Sequence, residues 1–163
     1  MKNNLENESK EAIIEKVKNN QPIYLELPPK WRKDNDVAMA LVQANFCYYE
    51  DLDIDVKKDS NIVKHVLEKN GGYLSFMPDE IKSSKDWVIF AMKESITALY
   101  YASEELQNDK ELLYMLKQKE AKVSKVWKGW FDERMDVLKI YEDEIWMKEN
   151  SEKTTKRTAL KKF

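Results

Sequence analysis

Glycine is scarce in this chain of 163 residues: Gly71, Gly72 and Gly129 are the only three, alongside four prolines and one cysteine. Two adjacent glycines and a distant third cannot build the Gly-rich loop that cradles a phosphate, and a turn-dense β-sandwich needs more of them. The lone cysteine, Cys47, excludes an internal disulfide and a cysteine-built zinc cluster. Neither a serine elbow nor an H-E-x-x-H helix occurs. No stretch approaches the roughly 20 apolar residues of a membrane-crossing helix, and "MKNNLENESKEAIIEK" at the start lacks the apolar core of a secretion signal. These absences point to a cytoplasmic protein with no membrane partner, and they assign no catalytic residue, cofactor or metal ligand.

What is present suits a folded domain. Apolar residues make up 42 % and charged residues 36 %, and 18 aromatic side chains are far more than a disordered chain usually carries. The net charge of −2 is unevenly spread. The C-terminal stretch "SEKTTKRTALKKF" holds five Lys or Arg against one Glu, so the rest of the chain stands at −6.

The sequence also says nearly the same thing twice: "YLSFMPDEIKSSKDWV" (Tyr73 to Val88) aligns without a gap on "ALYYASEELQNDKELL" (Ala98 to Leu113), 25 positions on. Extended along the chain, that interval produces apolar columns. One holds Ala12, Val37, Ile62, Trp87, Leu112 and Val137, and the next holds Ile13, Ala38, Val63, Val88, Leu113 and Leu138. Further columns run Leu27, Leu52, Met77, Ala102, Trp127 and Trp31, Val56, Ile81, Leu106, Phe131. A single long helix would keep such columns in phase, since the interval is close to a whole number of α-helical turns, but Pro28, Pro29, Pro78 and the Gly71–Gly72 pair interrupt it.

Each unit therefore folds back on itself. Ser9, Asp34, Asp59, Ser84 and Asp109 share a column just ahead of the apolar helical face, where a side-chain oxygen can cap the first turn; Arg134 takes that place in the last unit. A second, shorter helical segment follows, with Tyr73, Leu74, Phe76 and Met77 expected along one side of it. Neither element can bury its apolar face alone, so neighbours must stack. The pattern predicts an all-α, compact α-solenoid of about six 25-residue helix, short-helix and turn repeats in one domain, residues 1–152. The units cover about 3–27, 28–52, 53–77, 78–102, 103–127 and 128–152, followed by a flexible basic tail, 153–163.

"YYASEELQNDKELL" (Tyr100 to Leu113), preceded by "VLEKNGGYLSFMPDEI" (Val66 to Ile81), resembles the tandem-repeat family catalogued as domain of unknown function 4116. Those repeats pair a short helix ending in Asn-Gly with a Tyr-Ala-Ser-Glu-Glu-Leu turn and an Asp-Lys-Glu start to the next helix. The resemblance covers roughly residues 27–120 and is specific in the third and fourth units. It implies an all-helical repeat and, by analogy, a binding role, and carries over no catalytic residue.

Candidate chemistry is thin. Asp51, Asp53 and Asp55 begin like a calcium loop, but Val56 stands where glycine is needed and Ile62 where a bidentate Glu is needed. His65 shares a column with Ala40, Phe90, Met115 and Ile140 and reads as a packed side chain; Cys47, between Phe46 and Tyr48, reads as a buried, inert thiol. Aromatic residues in otherwise polar columns are better guides. Trp130 falls in the column of Asp55, Glu80 and Glu105, Tyr100 with Glu50, Ser75 and Lys125, and Tyr114 with Met39, Lys64 and Ile89. They are either partner-binding residues or, for Trp130, a core residue beside Phe131 after a register shift. The expectation is a non-catalytic protein that binds a protein partner, blocking or adapting it, through Tyr100, Tyr114 and Trp130. The alternative is binding of RNA or a ribonucleoprotein complex, with Lys153, Lys156, Arg157, Lys161 and Lys162 touching phosphates and the exposed aromatics stacking.

Overall fold

The computed structural model describes residues 5–19, 26–118 and 127–160, and among them there are helices and turns but no strand. The helices are α1 (Lys10–Lys18), α2 (Pro29–Arg32), α3 (Asn35–Ala44), α4 (Ser60–Lys69), α5 (Asp79–Lys82), α6 (Lys85–Glu94), α7 (Glu104–Gln107), α8 (Lys110–Gln118) and α9 (Lys128–Leu160). Three 3₁₀ segments of equal length, Phe46–Asp51, Gly71–Phe76 and Ile96–Tyr101, follow α3, α4 and α6. The longer helices α1, α3, α4, α6 and α8 begin at residues 10, 35, 60, 85 and 110, so the 25-residue interval of the sequence is also the interval of the helix starts.

Capping explains where these helices begin. Asp34 Oδ1 accepts from the amides of Asp36 and Val37, and Asp59 Oδ1 from those of Asn61 and Ile62, at 2.9–3.2 Å. Ser9 accepts from the Ala12 amide and Asp109 from the Leu112 amide. The exception is Ser84, which occupies the same column but makes no side-chain cap bond.

The chain divides into two compact units, Met1–Ser103 and Glu104–Phe163, where the sequence pattern reads as a single domain. In the first, each long helix packs on the next: α1 on α3, α3 on α4, α4 on α6. The buried row is Ile13, Ala38, Val63 and Val88, all fully shielded, with Leu41, Val66 and Ala91 one turn on. Burying one such aliphatic side chain stabilises by roughly 1.5–3 kcal/mol, more than a nine- or ten-residue helix can supply by propensity. Trp87, expected in the first column beside Ile62, is only half-buried and sits edge-on to Phe90 at 5.9 Å. Polar links run between successive helices as well: Lys10 pairs with Asp34 and Asp36, and Asn35 donates to Asp59 Oδ2.

One close approach depends on glycine. A Cβ on Gly71 would lie 2.1 Å from the Ala91 carbonyl oxygen, so the 3₁₀ segment after α4 rests directly on the backbone of α6.

In the second unit, α8 buries Leu112, Leu113 and Leu116, and α9 packs on it with Phe131 and Leu138 buried. Here the expected sixth repeat is replaced by one helix of 33 residues, Lys128–Leu160, which also takes in residues 153–160 of the expected flexible tail. No proline occurs after Pro78, Gly129 lies at the helix start, and Arg134 stands in the cap column, so nothing interrupts the backbone.

Replacing Asp59 with Ala removes two cap bonds and should cost about 1 kcal/mol, whereas Ser84→Ala should leave the unfolding midpoint in urea nearly unchanged. Gly71→Ala should destabilise by about 1–3 kcal/mol through overpacking against a carbonyl that cannot yield. Gly129→Ala meets nothing within 4 Å and serves as the control in the same thermal melts.

Candidate interaction surface

A 3₁₀ helix has three residues per turn, so positions i and i+3 share a face. That pitch sorts the side chains of the three 3₁₀ segments. Tyr49 and Leu52 are buried in the first, Gly71, Leu74 and Met77 in the second, and Ile96, Leu99 and Ala102 in the third. Entry into the first two is fixed by Asn45 and Asn70, whose side-chain oxygens accept from the amides of Cys47 and Gly72 at 3.0 and 2.9 Å. At the third, Ser95 pairs instead with the Thr97 hydroxyl. Tyr49 is held inside by donating to the Lys57 carbonyl at 2.9 Å and by contact with the Met77 sulfur at 3.2 Å; burial pushes its phenol pKa well up.

Phe46, in the row of Tyr49, is half-buried, and the other rows are more open apart from the buried Ala98, which corrects two expectations. Tyr73 and Phe76 do not join Leu74 and Met77 in the core: Tyr73 is half-buried and Phe76 is 46 % exposed. Nor is Cys47 buried, because it shares its row with Glu50 and both are exposed.

Together these residues make an aromatic surface. Phe46 meets Tyr73 edge-on at 4.9 Å, and Tyr73 leans on Phe76 at 5.2 Å. The neighbouring Cys47 side chain, burial and Glu50 together hold the Tyr73 pKa above the ordinary tyrosine range. Tyr101 occupies the repeat position of Phe76 one interval on, with Tyr100 edge-on beside it at 5.3 Å. The 3₁₀ segments carrying Phe76 and Tyr101 pack side by side.

Of the three contact residues expected from the columns, Tyr100 is exposed at 40 %, on the 3₁₀ segment that packs beside the one carrying Phe76. Tyr114, on α8, and Trp130, on α9, belong to the second unit and are half-buried. Trp130 donates from Nε1 to Gln107 Oε1 at 3.2 Å, and the Arg134 guanidinium lies 5.4 Å above its ring and also reaches Gln107. Phe131 beside it is buried, so α9 keeps the expected core position and Trp130 flanks it. Lys153, Lys156 and Arg157 fall on the last turns of α9, and Lys161 and Lys162 lie outside the described residues.

Column reasoning missed Phe76, although the signal was there: its column reads Glu26, Asp51, Phe76, Tyr101, as mixed as the one that drew attention to Trp130.

Other chemistry is sparse. Among the described residues no three of His, Cys, Asp and Glu gather to hold a metal. Asp53 accepts from the Asp55 amide and lies 3.8 Å from Lys33. His65 is partly buried on α4, its Nε2 shielded from solvent without a hydrogen-bond partner among the described residues. A cleft of about 380 Å³ in the second unit is floored by Phe131, Met135 and Leu138; its Lys117, Asp132 and Asp136 are paired with Glu142, Lys128 and Lys139. Among the described residues no helix is long and apolar enough to cross a membrane.

Comparison with known proteins finds one family. Residues 59–107 match the family model described as Domain of unknown function (DUF4116), the family whose motifs appear in "VLEKNGGYLSFMPDEI" and "YYASEELQNDKELL". Neither a curated protein nor a solved structure matches the chain. The matched span contains Tyr73, Phe76, Tyr100 and Tyr101, whereas Phe46 precedes it.

Because Trp130 ties α9 to Gln107, Trp130→Ala should lower stability by about 1–3 kcal/mol, within the range for partly buried aromatic truncation. Thermal unfolding followed by circular dichroism reads the change.

Proposed function

We propose that this is a non-catalytic interaction protein that acts in the cytoplasm. Its helices, recurring at a fixed interval and stacked as an α-solenoid, hold an aromatic surface rigid for a protein partner, which it blocks or adapts. The observation that carries the reading is the Phe46–Tyr73–Phe76 cluster, with Phe76 46 % exposed on a backbone fixed by buried Leu74 and Met77. A large aromatic turned outward beside a fully buried row gains nothing from the core, and exposed Tyr, Trp and Phe are enriched where partners dock. Fixing the side chains on short, capped segments lowers the ordering entropy that binding would otherwise cost.

The doubly substituted protein Phe76→Ala/Tyr100→Ala tests it. Both side chains are exposed, so the melting temperature should stay within a few degrees of the parent. Tagged parent protein and variant are used for affinity capture and mass spectrometry, with the RNA in each sample sequenced. Proteins retained by the parent and lost from the variant support the reading; the same proteins in equal amounts on both would overturn it. RNA as partner, through Lys153, Lys156, Arg157, Lys161 and Lys162, predicts instead that capture is lost on removing residues 151–163 and falls steeply with salt.

A further inference from the structure

Four aromatic rings of the chain carry a cation over their face. Lys30 lies over Trp31 at 4.5 Å, Lys57 over Tyr49 at 5.6 Å, Lys93 over Phe90 at 5.8 Å and Arg134 over Trp130 at 5.4 Å. Among the described residues no cation lies over Phe46, Tyr73 or Phe76, the most open aromatic cluster of the first unit.

The charge around that cluster has one sign. Residues 45–56, 70–81 and 95–103 contain Glu50, Asp51, Asp53, Asp55, Asp79 and Glu80 and no Lys, Arg or His. Three lysines from outside these stretches answer part of that charge: Lys33 lies near Asp53, Lys58 pairs with Glu80 at 2.6 Å, and Lys57 donates to the Glu50 carbonyl at 2.8 Å. These stretches themselves supply only acidic charge, and Glu50 is exposed on the same 3₁₀ segment as Phe46 of the aromatic cluster. An aromatic face bordered by carboxylates attracts a cation twice, through the ring quadrupole and through direct charge.

Resting on the reading above that this surface docks a protein, we infer that the docking segment is basic, with a Lys or Arg seated on Phe76 and its charge answered by Glu50. The aliphatic stem of that residue covers the ring while the head group reaches the carboxylate.

The test is selection from a phage-displayed library of random peptides on the immobilised full chain, followed by fluorescence anisotropy of the enriched peptides. Enriched sequences should carry an excess of Lys or Arg. Their affinity should fall at least about tenfold in Phe76→Leu and in Glu50→Lys, a hot-spot-sized loss. It should persist in Phe76→Trp, which keeps the π face, and all variants should melt within a few degrees of the parent. Enriched peptides without a basic excess whose binding is lost in Phe76→Ala would overturn the basic segment and leave protein docking at this surface standing. Peptides indifferent to Phe76 and Tyr100, or none recovered, would overturn both. A single-stranded RNA oligonucleotide that binds and is lost in Phe76→Leu would replace the basic peptide with a nucleic acid.

Discussion

The long helices of the first unit keep their apolar faces dry only by packing on one another. Ile13, Ala38, Val63 and Val88 are fully shielded because α1, α3, α4 and α6 lie in sequence order against one another. Helices of nine or ten residues are marginal in water, so the stack is the source of their order, and every other feature of the unit is arranged around it. Caps set where α1, α3 and α4 start, and the Asn45 and Asn70 turns set where α3 and α4 give way to 3₁₀ segments.

That arrangement gives the 3₁₀ segments two faces of different character. With three residues per turn, the row of Leu74 and Met77 goes inward and anchors the same segment that holds up the half-buried Tyr73 and the exposed Phe76. The outward side chains are thereby mounted on backbone that packing fixes at both ends, with Gly71 seated against the Ala91 carbonyl at the start of the segment.

Much of the helical framework was legible in the sequence. The all-α class, the 25-residue interval, the buried row through Val63 and the caps at Ser9, Asp34, Asp59 and Asp109 all follow from residue type and spacing. The 3₁₀ pitch was not: at the α-helical pitch Tyr73, Leu74, Phe76 and Met77 share a side, and only the tighter helix separates them. Cys47 reads as buried from its neighbours Phe46 and Tyr48, but it is exposed in line with Glu50. The long α9 escaped for a related reason, because the repeat interval is close to a whole number of α-helical turns, and a column such as Leu113 and Leu138 stays apolar whether or not the chain folds back between its members. Of the expected contact residues, Tyr100 is exposed, whereas Trp130 is engaged with Gln107 and Arg134.

Asp59 divides its carboxylate between two helices: one oxygen caps α4, and the other receives the Asn35 amide from the start of α3. Asp34 stands in the same relation to Lys10 of α1. Each of these two start signals is thus signed by the preceding helix as well as its own, so a helix grafted in from elsewhere would have to suit its upstream neighbour at the junction before it could be stacked.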